Sequence, residues 1–338
     1  MKKNTIWKKR ATVLGCILVG AGVLVSGISF AGMGFSMRAF VSPRGEVAQP
    51  ETFSFTGDEI REVDVESGFR NVRVEGVPGL KAPELVASPD LFEYELGAGP
   101  KLTVRETEQA GRGGWKWFQL FTFNTEQNSE VVIRLPEDLA VSLRVKSSFG
   151  SVRVKDLSQL EDLFVESQNE AVRLSALKVV GKAELSSSFG NITMQDSRAE
   201  ELTVRDSNGD VTLEGCSAGG AVFTTEFGNL RVRDSGFDAL MLDNSNGHSR
   251  LGSVKVKTHL QHHSSFGDLS FDGLECPSLD LRAENGNISG TIIGSESDYK
   301  ISANVKYGDT NLQGRLEGKN QLQVESQFGD VNIHFAEN

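Results

Sequence analysis

His259, His262 and His263 lie close together and are the first candidates for metal chemistry. Zinc takes three or four nitrogen or sulfur ligands at fixed geometry. On a β-strand, His259 and His263 would share a face while His262 would point the other way. Nothing nearby supplies the missing ligands, so the sequence predicts no metal site here.

The segment Asp206–Asp210, with the sequence DSNGD, resembles a fragment of a calcium-binding loop. The equivalent positions in other repeats of the chain hold Asn, His, Ser or Glu, so a ladder of calcium ligands does not recur. Short Asp and Asn side chains also stabilise tight turns by bonding to the backbone. Turn capping is therefore the favoured interpretation.

Catalytic groups are not evident in the sequence. Polysaccharide-cleaving enzymes need clustered carboxylates on one face, whereas the acidic residues here are spread over turns and outward strand positions. The chain also lacks a recognisable Ser-His-Asp constellation or phosphate-binding loop. The sequence therefore predicts no catalytic residue, no cofactor and no enzyme, and a carbohydrate-active β-helix enzyme is the least favoured alternative.

Charge divides the chain into two unequal parts. The segment 1–40 contains six Lys or Arg and no Asp or Glu. Subtracting these six from the 35 basic side chains of the whole chain leaves 29 against 46 acids, a net charge of about −17 for the remainder. Such an acidic surface argues against nucleic-acid binding, which depends on neutralising phosphates. It suits a soluble domain outside the cell.

The N-terminus contains an uncharged segment, residues 11–37, behind the basic cluster Lys8-Lys9-Arg10. About 20 apolar residues span a bilayer as a helix, and the preceding positive charge predicts a cytoplasmic N-terminus with the rest exported. A cleaved signal peptide ending near Ser29-Phe30-Ala31 is the alternative. The longer apolar run favours an uncleaved transmembrane helix.

A short turn recurs about every 20 residues from position 147 onward, as in SSFGSVRV, DSNGDVTL and SQFGDVNI. Nine of its ten copies have Gly at the same place, and Glu170 is the exception. Gly suits a left-handed bend. The predicted structural turn ladder consists of Phe149, Gly150, Phe189, Gly190, Asn208, Gly209, Phe227, Gly228, Asn246, Gly247, Phe266, Gly267, Asn285, Gly286, Tyr307, Gly308, Phe328 and Gly329.

The residues on both sides of each turn alternate between apolar and polar, which is typical of β-strands with one buried face. Leu143 and Val145 precede the first turn, and Val152 and Val154 follow it at matching spacing. One strand–turn–strand unit cannot bury its apolar face alone, so units must stack. The sequence therefore predicts an all-β fold, a β-solenoid (β-helix) of units of about 20 residues.

The residue before Gly alternates between an aromatic residue and Asn from Phe149 to Tyr307, and Phe328 breaks this order. Identical residues tend to stack when strands lie in register about 4.8 Å apart. The alternation suggests a superunit of two turns, about 40 residues long. Either two successive coils interlock, or one full coil takes the whole superunit and places the two kinds of turn on different edges.

These Phe-Gly-Asp and Asn-Gly-Asp turns between short alternating strands resemble the bacterial putative-adhesin family known as domain of unknown function 4097. The resemblance covers residues 52–338 and includes the entry Val63-Asp64-Val65 and the segment 131–142. It implies a membrane-anchored β-solenoid at the cell surface. Glu170 and the insertion 106–129 depart from the pattern, so the early coils are expected to be irregular.

The insertion contains the most apolar stretch outside the anchor, in which Trp115, Trp117, Phe118 and Phe121 lie close together. An open solenoid end exposes strand edges and must be covered, so the favoured interpretation is a cap. The alternative is an interface with a membrane or a partner.

These features predict a basic cytoplasmic tail (1–10), a transmembrane anchor or signal peptide (11–37), a linker (38–52), a cap with irregular coils (53–140) and regular solenoid repeats (141–338). The predicted location is the cell membrane, crossed once, with the C-terminal domain extracytoplasmic. The predicted function is that of a non-enzymatic, adhesin-like surface protein that binds an envelope protein or a surface polysaccharide. A regulatory or stress-sensing partner of another envelope membrane protein is the alternative.

Overall fold

The computed structural model describes residues 49–56, 60–97, 99–107 and 130–337. These residues form β-strands and a single short 3-10 helix, Glu296–Asp298. The strands are β1 Glu51–Ser54, β2 Glu62–Ser67, β3 Val72–Val77, β4 Glu84–Ala87, β5 Phe92–Leu96, β6 Lys101–Glu106, β7 Val131–Pro136, β8 Val141–Ser147, β9 Val152–Ser167, β10 Val172–Val179, β11 Lys182–Ser187, β12 Ile192–Gln195, β13 Arg198–Asp206, β14 Val211–Glu214, β15 Ser217–Phe227, β16 Leu230–Asn246, β17 Ser249–Phe266, β18 Leu269–Leu274, β19 Ser278–Asn285, β20 Ile288–Ile293, β21 Tyr299–Tyr307, β22 Asn320–Phe328 and β23 Val331–Ala336.

Parallel strand pairing confirms an all-β solenoid and gives the length of one coil. Val172 pairs with Val152 in the preceding coil and, through the other edge of its strand, with Ile192 in the next. One strand–turn–strand unit therefore makes one full coil. The alternative, in which a coil takes the whole superunit, is wrong, because the Phe and Asn turns lie in a single column in which Phe227 pairs with Asn246 and Asn246 with Phe266.

The inward positions confirm the predicted alternation of buried and exposed residues. Leu143, Val145, Val152 and Val154 are each at most 2% exposed. Equivalent residues of the other coils fill one continuous core, because each strand contributes alternate side chains to the same interior. The core contains mainly Val, Leu and Ile, and Phe223 meets Phe237 edge-to-face within it.

At both ends of the solenoid, the spatial order of coils differs from the chain order. Near the C-terminus, β22 lies between β19 and β21, so that Phe328 pairs with both Asn285 and Tyr307. Near the N-terminus, β2 lies between β6 and β8, and β3 lies between β7 and β9. At each end, the terminal coil of the sequence is thus the second coil in space. The coil that is next to it in the sequence lies on its outer side.

A second ladder of bends lies in the segments that connect the coils away from the Gly turns. These residues have left-handed φ angles between 46° and 70°, and most of them are not glycine. They recur at the coil period and consist of Asp156, Ala176, Asp196, Gly215, Asp234, Ser253 and Gly273. We call this ladder the bend edge. The residue that follows each bend is buried, so each bend directs the chain back toward the core.

Within the described ranges, no helix is long and apolar enough to cross a membrane. The predicted transmembrane segment, 11–37, lies outside the described residues, as do the basic tail and most of the linker. The anchor therefore stays a prediction.

Candidate functional site

Seven aromatic side chains of the described residues form one column on the surface, at the position directly before the turn glycine or its equivalent. They are between 46% and 63% exposed. We call this column, with the Asn residues between its rings, the aromatic edge. In spatial order its aromatic residues are Phe69, Phe149, Phe189, Phe227, Phe266, Phe328 and Tyr307. Exposed apolar side chains in a contiguous array are typical of binding surfaces.

The rings stack directly at the two ends of this column. Phe69 lies 5.1 Å from Phe149 between ring centroids, with the ring planes 4° apart. At the other end, Tyr307 lies 4.9 Å from Phe328 with the planes 10° apart. Adjacent coils supply both pairs, and their spacing follows from the strand separation of about 4.8 Å.

Asn residues separate the rings in the middle of the column, and each of them bonds to the coil before it. The Nδ2 of Asn208 donates to the backbone oxygen of Ser188 at 3.1 Å, and that of Asn285 donates to the backbone oxygen of Ser265 at 3.2 Å. Asn169 and Asn246 do the same. These bonds give a physical reason for the alternation, because an amide satisfies the carbonyl next to each ring.

The residue after the turn glycine forms a second ladder. The side-chain oxygen of Asn191 accepts from the backbone N–H of Asp210 at 2.9 Å, and Asp210 accepts in turn from Asn229 at 2.8 Å. The pattern continues through Asn229, His248, Asp268, Asn287 and Asp330 to the N–H of Asp309. For the segment Asp206–Asp210 the sequence predicted a bond within the turn, whereas these side chains connect neighbouring coils.

The turn glycines approach the neighbouring backbone closely. A Cβ atom on Gly267 would overlap the backbone oxygen of Gly247, and one on Gly150 would overlap that of Arg70. Gly267 also has a φ of +139°, but Gly150 has no positive φ. The left-handed bend predicted from the sequence therefore occurs at only some of these turns. Close packing between coils is the more general reason for glycine.

A buried polar column, which was not predicted from the sequence, lies three residues before the turn glycine. The Ser187 hydroxyl donates to the backbone oxygen of Gly190 at 2.6 Å and accepts from its N–H at 2.9 Å, which closes the turn. Ser147 forms the same pair of bonds with Gly150. The recurring Ser in S-S-F-G and S-Q-F-G was the available signal.

In three central coils, this buried column holds Asp206, Thr225 and Asn244 in place of Ser. Burial raises the pKa of the Asp206 carboxyl to about 7, although the Asn208 and Gly209 backbone N–H groups oppose the rise. Those N–H groups approach the carboxylate without completing a hydrogen bond. The adjacent Asp210 binds the backbone N–H of Asn229. Within the DSNGD segment, Asp210 thus joins neighbouring coils, whereas the Asp206 carboxylate completes no hydrogen bond with its own turn.

The histidine cluster is divided as the strand geometry predicted. His262 is fully buried between Leu242 and Leu281 of neighbouring coils. Burial lowers its pKa to about 3, so it is neutral at physiological pH. His259 is exposed, and its Nδ1 lies 3.2 Å from the Ser278 hydroxyl. In the part of the chain that the structure describes, no group of His, Cys, Asp and Glu is arranged to hold a metal ion.

The aromatic insertion with Trp115, Trp117, Phe118 and Phe121 lies outside the described residues, so its role stays a prediction. Glu106, the first residue of the insertion and part of β6, binds the backbone of the Phe69 turn. One oxygen of its carboxylate accepts from the N–H groups of Gly68 and Phe69, both at 2.8 Å. This carboxylate closes the turn at the N-terminal end of the aromatic edge.

A shallow cleft on the described surface has a volume of about 320 Å³ and contains Glu62, Asp162 and Glu184. Glu62 forms an ion pair with Lys101 at 2.7 Å, and Asp162 accepts from the backbone N–H of Lys182 at 2.9 Å. These two carboxylates are thus engaged in structural contacts. The cleft gives no specific support to acid–base catalysis.

The fold and the surface define a class of protein, a β-solenoid with an exposed aromatic edge. The Toastrack DUF4097 family matches residues 87–234 and 180–338, and the chain belongs to this family. No curated protein is significantly similar to the chain.

Several solved structures are similar to this chain at low identity. A putative adhesin from Bacteroides fragilis is 13% identical, with a TM-score of 0.37, and the match covers 84% of this chain and 97% of that one. A putative adhesin from Parabacteroides merdae is 13% identical, with a TM-score of 0.41 and coverage of 85% and 96%. A putative lipid binding protein from Parabacteroides distasonis is 12% identical, with a TM-score of 0.40 and coverage of 85% and 97%.

Proposed function

We propose that this chain is a non-enzymatic, adhesin-like binding protein, tethered to the cell membrane by residues 11–37, with the solenoid outside the cell. In this proposal the aromatic edge is the surface that holds a ligand of the envelope. The apolar N-terminal segment behind a basic cluster supports the tether. The acidic remainder of the chain supports an extracytoplasmic domain that does not bind nucleic acid.

The exposed rings are the observation on which the proposal depends. Asn169, Asn208, Asn246 and Asn285 occupy the same turn position as the Phe residues, so the turn itself does not require an aromatic side chain. A Phe ring that remains about half exposed contributes little burial energy. Exposed rings repeated along one edge are thus better explained by a contact with another molecule than by folding.

Site-specific photo-crosslinking in intact cells tests this proposal. Phe227 is replaced by a photoreactive phenylalanine analogue, and Asp234 on the bend edge carries the same analogue as a matched control. We expect adducts from position 227 and few from position 234. Equal labelling at the two positions, or none at 227, would contradict the proposal.

The identity of the adduct distinguishes the two candidate functions. A wall polymer or another surface ligand supports the adhesin-like function, and a single membrane protein supports the regulatory alternative. A C-terminal tag that externally added protease removes from intact cells supports the proposed topology. A tag that stays protected unless the cells are opened contradicts it.

A further inference from the structure

The central rings of the aromatic edge are spaced with a constant period. Phe149, Phe189, Phe227, Phe266 and Phe328 are each separated from the next by one Asn coil. With about 4.8 Å per coil, successive rings are about 9.6 Å apart. The C-terminal exchange of coils preserves this period, because Phe328 pairs with Asn285 and leaves Tyr307 at the end.

A fixed acceptor lies between each pair of rings. The Nδ2 groups of Asn208 and Asn246 are held by backbone oxygens of the preceding coil, at 3.1 and 3.2 Å. Among the described residues, no group donates to the side-chain oxygens of these two amides. Each oxygen is therefore positioned and available to accept a hydrogen bond from a ligand.

The charge of this edge selects against anionic ligands. The eight central turns, from 147–151 to 283–287, contain no Lys or Arg, and they include the exposed carboxylates of Glu226 and Glu284. A phosphate-rich or uronate-rich polymer lying along the rings would meet these carboxylates, and the nearest cations, Arg231 and Arg250, lie on the adjoining strands beside His248. Single-stranded nucleic acid also stacks on aromatic rings, but it requires a basic groove along its backbone.

We propose that the aromatic edge binds an uncharged, extended β-1,4-linked glycan that contains N-acetylhexosamine; this inference rests on the proposed function. In such a chain one disaccharide is close in length to two coils, so every second sugar would pack against an exposed Phe ring. The acetamido N–H groups and hydroxyls then supply donors for the Asn oxygens. Several weak contacts on one rigid edge add up to a useful affinity.

Titration calorimetry on the full chain with chito-oligosaccharides of increasing length tests this inference. We expect the hexasaccharide to bind at least about tenfold more tightly than the disaccharide, because it spans more rings. Maltohexaose, whose α-1,4 linkages coil the chain, should bind about tenfold more weakly than chitohexaose. Cellohexaose, which lacks the acetamido donors, should also be weaker. Affinity independent of length or linkage, or equal affinity for cellohexaose, would overturn the assignment.

Phe227→Asn is the informative variant, because Asn occupies the same position in neighbouring coils and the fold should tolerate it. We expect about a tenfold loss of chitohexaose affinity, whereas the bend-edge control Asp234→Asn should bind as the unaltered chain does. Unchanged binding by Phe227→Asn would overturn the inference. Crosslinking to a protein from position 227, without glycan binding, would sink the glycan assignment while the proposed function stands.

Discussion

The aromatic edge and the bend edge turn the same chain at the same period, but they present different chemistry to solvent. The turns of the aromatic edge pack so closely that glycine is almost always needed, and they expose rings. The bend edge tolerates Asp, Ala and Ser in a left-handed conformation and exposes carboxylates such as those of Asp156 and Asp196. Tight bending therefore does not by itself call for aromatic residues. The rings are a feature of one edge that folding leaves unexplained.

The largest stability effect should come from the glycine column of the aromatic edge. We expect Gly267→Ala to lower the free energy of unfolding by about 3 kcal/mol, because the new Cβ would collide with the Gly247 carbonyl in an unfavourable backbone conformation. Urea denaturation measures this. Gly220→Ala is the control, since nothing lies within 4 Å of its Cβ position, and it should change stability by less than about 0.5 kcal/mol. Equal effects of the two variants would contradict close packing as the reason for glycine.

The buried column beneath the aromatic edge predicts a pH effect. The folded pKa of Asp206 is about 7, against 3.8 for an ordinary Asp. Between these values the unfolded chain releases a proton that the folded chain retains, so this residue's contribution to stability falls as the pH rises from about 4 to 7 and is lost above that range.

Asp206→Asn keeps the shape of the side chain, and the same column already accepts Asn244. We expect the variant to be about 2 kcal/mol more stable than the unaltered chain at pH 8, because it removes a buried charge without a full hydrogen bond. The two proteins should converge near pH 4. Urea denaturation across this pH range tests the prediction, and a constant difference at every pH would argue against the raised pKa.

The bend edge should respond to substitution in the opposite sense from the glycine column. Ala176 has a φ of 52°, a conformation that costs an L-residue about 1–2 kcal/mol. We expect Ala176→Gly to raise the free energy of unfolding by up to about 1 kcal/mol, after the entropy cost of glycine. Ala239→Gly, at a strand residue without a left-handed φ, should instead lower it. Destabilisation by both substitutions would show that the left-handed bends are not strained.

Much of the fold followed from the sequence because its signals are local. The alternation around Val152 and Val154 and the recurring Gly predicted the strands, the turns and the buried face. The coil length did not follow, because the alternation of Phe and Asn also fits a coil of two units in which like residues stack on like. In the structure, the amides of Asn208 and Asn246 bond to the coil before them and so favour alternation.

The exchange of coils at the ends is a long-range choice of partner that local patterns do not determine. Phe328 nevertheless carried a signal, since its break in the alternation along the chain reflects its place beside Asn285 in space.

The candidate surface was only partly predictable. The residues of the aromatic edge were identified as a turn ladder, but their exposure depends on which way each side chain leaves the turn.

We propose that the rings of the aromatic edge serve binding and not folding. The most direct test compares two triple variants in binding to isolated cell envelopes. One replaces Phe189, Phe227 and Phe266 with Asn, and the other replaces Asp156, Asp196 and Asp234 on the bend edge with Asn. We expect the first variant to bind at least about tenfold more weakly while its urea midpoint stays unchanged. The second variant should keep the affinity and the urea midpoint of the unaltered chain. Envelope binding that survives the loss of the three rings would contradict the claim, as would a large fall in the urea midpoint of the first variant.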